Sequence, residues 1–128
     1  MTEVLVSGSR SIRNYMLVAN AIDDAPFDVD RVIHGNAEGV DRSADVYCTL
    51  NSIPVRGVSP DYEKFSDNPK YAPLARNKKM FKQADAVIAI IEGESRGTEH
   101  VMGLAKSDDM DLAKVAQLDN GIEVYYFI

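Results

Sequence analysis

Ala86-Val87-Ile88-Ala89-Ile90-Ile91-Glu92-Gly93-Glu94-Ser95-Arg96-Gly97-Thr98 is the stretch of this chain that decides its fold. Its first six residues are the most apolar run in the sequence and suit a central strand buried on both faces. A glycine-bearing turn follows at once, and a helix then runs from Thr98 to about Lys106. The same order of apolar run and glycine turn occurs twice more. Val4-Leu5-Val6 leads into Gly8-Ser9-Arg10-Ser11, and Arg31-Val32-Ile33-His34 leads into Gly35-Asn36-Ala37-Glu38-Gly39-Val40-Asp41. Strands alternating with helices imply a parallel sheet with right-handed crossovers. The expected fold is α/β, an open, mainly parallel sheet flanked by helices on both faces. In such a sheet the loops after the strands converge on one crevice, where helix amino termini favour an anion.

The remaining elements follow outward from these turns. Ile12, Tyr15, Met16, Ala19 and Ile22 recur at helical spacing, with Ser9 or Ser11 as the cap and Asp24-Ala25-Pro26 as the stop. Val40, Ala44, Tyr47 and Cys48 form the inner stripe of a second helix, ended by Asn51-Ser52 before a third strand from Ile53 to Val58. Ser59 to Pro73 reads as a loop long enough to act as a lid. A third helix is expected from about Ala72 to Ala84, with Leu74, Met80, Phe81 and Ala84 buried. Ser107-Asp108-Asp109 reads as a fresh helix cap, so residues 107–119 are expected to form a helical insertion with Met110, Leu112, Val115 and Leu118 on its apolar face. That face would pack on the sheet or meet a second copy. Asn120-Gly121 breaks the helix, and Ile122 to Ile128 is the last strand. There is no repeat and no second domain, so residues 1–128 are read as one unit.

The chain has 128 residues, enough to bury roughly two thirds of its unfolded surface without a staple. One cysteine, Cys48, on an apolar stripe, leaves no disulfide and no cysteine zinc site, so a reducing, cytoplasmic setting is expected. The amino terminus has no signal-peptide pattern, and no apolar stretch approaches the ~20 residues of a membrane span. The net charge of -6 disfavours nucleic acid as a partner. Yet Arg10, Arg13, Arg42, Arg76, Lys78, Lys79 and Arg96 gather in or beside the glycine loops, which suits a small anion. The two histidines, His34 and His100, are far apart in sequence with no clustered carboxylate, so neither a metal nor another cofactor is expected.

The chain has neither a G-x-x-x-x-G-K-[ST] nor a G-x-G-x-x-G motif, and the second strand ends in His34 rather than an acid. It does carry Gly8-Ser9-Arg10-Ser11, His34-Gly35-x-Ala37-x-Gly39-x-Asp41-Arg42-x-Ala44, Arg76-Asn77-x-x-Met80 and Arg96-Gly97-Thr98, in that order. This set resembles the SLOG superfamily of Rossmann-like proteins, in its YspA-type branch, over roughly Val4 to Lys106. The superfamily includes the lonely-guy phosphoribohydrolases, which cleave nucleoside monophosphates at the N-glycosidic bond, and the Smf/DprA proteins, which bind single-stranded DNA. The resemblance implies a Rossmann-like fold, a nucleotide or nucleotide-derived ligand, and a homodimer.

Site residues follow from the loops and the resemblance together. Gly8 and Gly97 admit a phosphate to the backbone or merely allow tight turns. Ser9, Ser11, Gly35, Gly39 and Thr98 stand in the same turns, and Arg10 is placed to clamp a phosphate. Asp41 either offsets the dipole of the second helix, anchors its loop, or meets a ribose hydroxyl. His34 is a hydrogen-bonded structural residue or a ligand contact. Arg76 and Asn77 match the part of the family that covers the ligand. In the glycosidase members an arginine works with a glutamate of a G-G-x-G-T-x-x-E motif; here Val101 holds the glutamate position and the double glycine is missing. Glu99 and Asp41 are the remaining catalytic candidates. The expected function is therefore binding of a nucleotide-type phosphate, in a sensor or sequestering module, with N-glycosidic hydrolysis as the alternative and single-stranded DNA binding behind it. The Asp61-Tyr62 loop would close over base or sugar.

Overall fold

The computed structural model describes residues 1–128. Strands and four helices alternate along the chain as far as the fourth helix, and two further strands then follow, six strands in all. They are β1 (Glu3–Gly8), α1 (Tyr15–Asp23), β2 (Arg31–His34), α2 (Val40–Leu50), β3 (Val55–Gly57), α3 (Tyr71–Gln83), β4 (Ala86–Glu92), α4 (Arg96–Ser107), β5 (Leu112–Gln117) and β6 (Ile122–Phe127). The sheet order is β3-β2-β1-β4-β6-β5. The first four strands in that order are mutually parallel, while β6 runs antiparallel to both β4 and β5. The architecture is α/β with a mixed, mostly parallel sheet. No helix is long and apolar enough to cross a membrane.

Successive side chains in a strand point to opposite faces, and the sheet uses both. Val4, Val6, Ile88 and Ile90 face α1 and α2, whose Val18, Ile22, Ala44 and Cys48 complete one core. Leu5, Ile33 and Val87 face the other way, onto Met80 of α3 and Val101 and Ala105 of α4. This is why β1 and β4 read as unbroken apolar runs. On the first face Tyr126 donates its hydroxyl to the carbonyl of Ala21, and Phe27 meets its ring edge-on at 6.2 Å.

Two expectations are corrected. The first helix starts at Tyr15, capped by Asn14, whose side chain accepts from the Leu17 amide at 3.2 Å. Ser9 and Ser11 are left for other work. The second correction is larger: residues 107–119 hold no helix after α4, and Leu112–Gln117 is the edge strand β5. Asp108 and Asp109 end a helix instead of starting one. The Asp109 amide donates to Lys106 and the Met110 amide to Ala105, with Asp109 at φ 56°, so the chain turns out of α4 in a Schellman arrangement. Asn120 and Gly121, both at positive φ, then reverse the chain between β5 and β6.

Candidate functional site

The carboxyl ends of β1 and β4 lie side by side at the middle of the sheet. From them the chain leaves in opposite directions, β1 toward β2 and β4 toward the β5–β6 hairpin. That divergence opens a crevice between the loops that follow. A cleft of about 780 Å³ lies there, walled by residues 8–11, by Gly35, Ala37 and Asp41, by Lys70, Pro73, Leu74, Arg76 and Asn77, and by residues 94–98. A shallower hollow of about 510 Å³ lies at the other end of the strands, lined by Glu3, Arg31, Arg56 and Gln83. Its Arg56 is already paired with Glu3 and Gln83.

One wall of the cleft is locked by internal bonds. Asp41, in the first turn of α2, accepts from the Gly35 amide at 2.9 Å and the Ala37 amide at 3.3 Å, both through Oδ2. Arg76 donates Nη1 to the carbonyls of Gly35 and Val58 and Nε to Asn77 Oδ1. Asn77 in turn donates Nδ2 to the Gly97 carbonyl at 3.3 Å, tying α3 to the start of α4. Glycine is required along this wall by close approach: a Cβ at Gly35 would stand 2.6 Å from Arg76 Nη1, and one at Gly8 2.4 Å from Val40 Cγ2. Ser9 braces the next loop, accepting from the Glu92 amide at 2.8 Å, while Ser11 donates to the Glu92 carboxylate at 2.8 Å.

The facing wall is open. Ser95 caps α4 without a side-chain bond to the backbone; its hydroxyl donates to Thr98 Oγ1 at 3.0 Å instead. The Glu99 amide is the first to bond within the helix, so the amides of Arg96, Gly97 and Thr98 have no helical partner. Nothing lies within 4 Å of where a Gly97 Cβ would stand. Arg10, Lys70 and Arg96 are exposed around the cleft and form no ion pair.

Burial also sets the electrostatics of the locked wall. Burial pushes the Asp41 carboxyl above its ordinary value, against the opposing pull of His34, the two backbone amides and Arg76. Its Oδ1 is buried and has no hydrogen-bond partner. Burial pulls the Arg76 guanidinium below its ordinary value, with Asp41 and Tyr62 opposing and Arg10 adding to the shift.

The structure brings Gly8, Ser9, Arg10, Ser11, Gly35, Asp41, Arg76, Asn77, Gly97 and Thr98 to one cleft. It does not bring Glu99 there: that carboxylate is exposed on the outer side of α4. Val101, at the position where a glutamate would be needed, is wholly buried in the second core. His34 is engaged internally, accepting from the Asn36 amide at Nδ1 and bonding Asp45 at 2.7 Å through Nε2, which fixes its proton on Nε2. Gly39 lies behind the cleft rather than in it, at φ 74° and packed on the Ser9 and Arg10 carbonyls. Asp61 and Tyr62 do not line the cleft, while Lys70, Ser95 and Leu74 do. Lys70 and Ser95 each stand just before a helix, and that position was the available signal. Leu74, expected in the core, is half-buried in the cleft wall.

No protein-family model and no curated protein matches the chain. Among solved structures, an uncharacterized protein from Listeria monocytogenes serotype 4b is similar at 10% sequence identity and a TM-score of 0.38. The alignment covers 98% of this chain and 60% of that one.

Proposed function

We propose that the cleft binds a nucleotide or nucleotide-derived ligand through its phosphate, and that the fold is Rossmann-like in the manner of the SLOG resemblance. The observation that carries this reading is the uncapped amino terminus of α4, opening into a cleft rimmed by unpaired Arg10, Lys70 and Arg96 on a chain of net charge -6. Free amides and the helix dipole favour an anion there. Arginines add bidentate hydrogen bonds to phosphate oxygens. The volume suits a mononucleotide.

Binding fits the side chains better than turnover does. N-glycosidic cleavage needs a carboxylate aimed at the sugar or at a water. Glu99 faces away, and Asp41 has one oxygen committed to two amides. Such a module would sense or sequester its ligand in the cytoplasm. The homodimer rests on the resemblance and is tested by light scattering.

The deciding experiment is thermal melting against mononucleotides, dinucleotides and ADP-ribose, with chromatography of the same mixtures for free base. A ligand at a hundred times its dissociation constant adds ~2.7 kcal/mol to stability. The expected result is a shift with no base released, abolished in Arg10→Ala. No shift with any phosphate-bearing compound overturns the reading, and released base replaces binding by hydrolysis.

A further inference from the structure

Asn77 is 3% exposed and spends both ends of its amide on three neighbours. Its Oδ1 accepts from Arg76 Nε at 2.8 Å, and its Nδ2 faces the Gly97 carbonyl at 3.3 Å and His100 Nδ1 at 3.2 Å. A guanidinium only donates and a carbonyl only accepts, so these two partners fix which end of the amide is which. The third contact is thereby decided as well: His100 Nδ1 accepts, and the neutral ring carries its proton on Nε2. A charged ring has a proton on both nitrogens and sets N–H against N–H. Turning the Asn77 amide over to meet it would set Oδ1 against the Gly97 carbonyl and Nδ2 against Arg76 Nε.

We propose that His100 is a proton-sensitive positioning residue: its neutral ring holds the Asn77 amide, and through it the Gly97 carbonyl at the start of α4, and protonation of the ring loosens that hold and weakens anion binding in the cleft. His100 does not line the cleft, whereas Asn77 and Gly97 do, so its effect passes through Asn77. The surroundings favour the neutral ring. Burial lowers the His100 pKa from its ordinary 6.5, and the Lys78 ammonium on α3 lowers it further, so the ring is neutral above 6.5 and takes up its proton as pH falls through a lower value. Lys78 is the charge that acts on the ring from the elements packed against α4. Arg76 meets it through Asn77, β1 and β4 present Leu5 and Val87, and Arg96 and Glu99 of its own helix are exposed. The control of binding rests on the phosphate reading; the hold on Asn77 does not.

The test is a pH titration of the ring nitrogens by NMR, with and without adenosine 5′-monophosphate, set beside calorimetric binding of that probe and of inorganic phosphate at pH 5.5 and pH 8. His100→Asn puts an amide oxygen near the place of Nδ1 without a titrating group, His100→Leu removes the acceptor, and both tell the His100 signals from those of His34. In the ligand-free wild type the ring is expected as the Nε2–H tautomer at pH 8, with a midpoint below 6.5. At pH 8 His100→Asn is expected to bind within about twofold of the wild type and His100→Leu about fivefold more weakly, the worth of one hydrogen bond. At pH 5.5 the wild type is expected to lose at least about threefold more affinity than His100→Asn, since the ligand's own protonation is common to both and cancels in their ratio. By reciprocity, saturating ligand should move the His100 midpoint down, whereas plain attraction between an imidazolium and a phosphate would move it up. An Nδ1–H tautomer, a midpoint at or above 6.5, a His100→Leu variant that binds like the wild type, an equal acid loss in His100→Asn, or an upward shift on binding each overturns the proposal. Failure of both probes to bind overturns the phosphate reading and the control of binding with it, while the ligand-free titration still decides the hold on Asn77.

Discussion

The two walls of the cleft are built on opposite plans. The wall made by the β2–α2 loop and α3 has its polar atoms tied to one another: Asp41 to two amides, Arg76 to two carbonyls and Asn77, Asn77 to Gly97. The wall made by the start of α4 leaves three amides, Arg96 and the space beside Gly97 unmatched. A site needs both. The locked wall fixes where the open wall points, because Asn77 holds the Gly97 carbonyl, and a preorganised set of donors binds an anion without a further ordering cost. Substitutions on the two walls should therefore separate, the first kind changing the stability of the fold and the second changing binding.

The sharpest break is Gly39→Ala. Gly39 caps α2 at φ 74° and ψ -122°, where a side chain is strained, and its Cβ would stand 2.5 Å from the Ser9 carbonyl and 2.6 Å from that of Arg10. Strain of this kind costs about 1–3 kcal/mol and overpacking a similar amount, so a loss of roughly 3 kcal/mol is expected in urea unfolding. A loss below about 1 kcal/mol would show that the loop behind the cleft is free to move, and the locked wall would be locked in name only.

Asp41→Asn probes the one unmatched atom on that wall. Because burial raises the native pKa of Asp41 above 3.8, the folded state holds a proton that the unfolded state has released in the window between the two values. Stability from this group therefore falls as pH rises from 3.8 through the raised native value. Asparagine removes that titration and keeps an oxygen for the two amides. In the absence of ligand, Asp41→Asn is expected to be more stable than the wild type at pH 7, because it removes a buried charge while leaving one polar atom as unmatched as before. The difference should shrink as pH is lowered. A variant that is less stable at pH 7 would mean that the attraction of Arg76 and the two amides outweighs burial.

The central fold was legible because its cause is local. Val4-Leu5-Val6 and Ala86 to Ile91 are apolar at every position, and only a strand covered on both faces asks for that. The glycine loops were legible from their place directly after apolar runs, although the contacts that ask for glycine at Gly8 and Gly35, with Val40 and Arg76, are distant in sequence. The stretch from Ser107 to Asp119 misled because Ser107-Asp108-Asp109 suits both ends of a helix. Aspartate is a good cap at the start and also tolerates the left-handed turn at the end. The Asn120-Gly121 pair was the better guide, since that dipeptide between apolar segments marks a hairpin more strongly than a helix stop. Glu99 and Val101 were distinguished by the helix phase once the start of α4 was known. Lys70 and Leu74 depended on how the 59–70 segment delivers the chain to α3, which no periodicity encodes.

Gly97→Ala is the mildest change and the most telling about the open wall. A Cβ there meets nothing, and alanine is the better helix former, so stability should rise by up to about 0.5 kcal/mol in this first turn. The methyl group would nonetheless stand at the mouth of the cleft, beside the amides that the proposed phosphate must approach. Binding of any nucleotide that shifts the wild-type melting temperature is expected to weaken by roughly tenfold, equivalent to ~1.4 kcal/mol, in a protein that is no less stable. A variant of this kind divides the two roles a glycine can have. Tight packing at Gly8 is a demand of the fold, whereas the open space at Gly97 serves no contact within it. If Gly97→Ala binds as tightly as the wild type, the phosphate does not lie on the amino terminus of α4, and the open wall is open for some other reason.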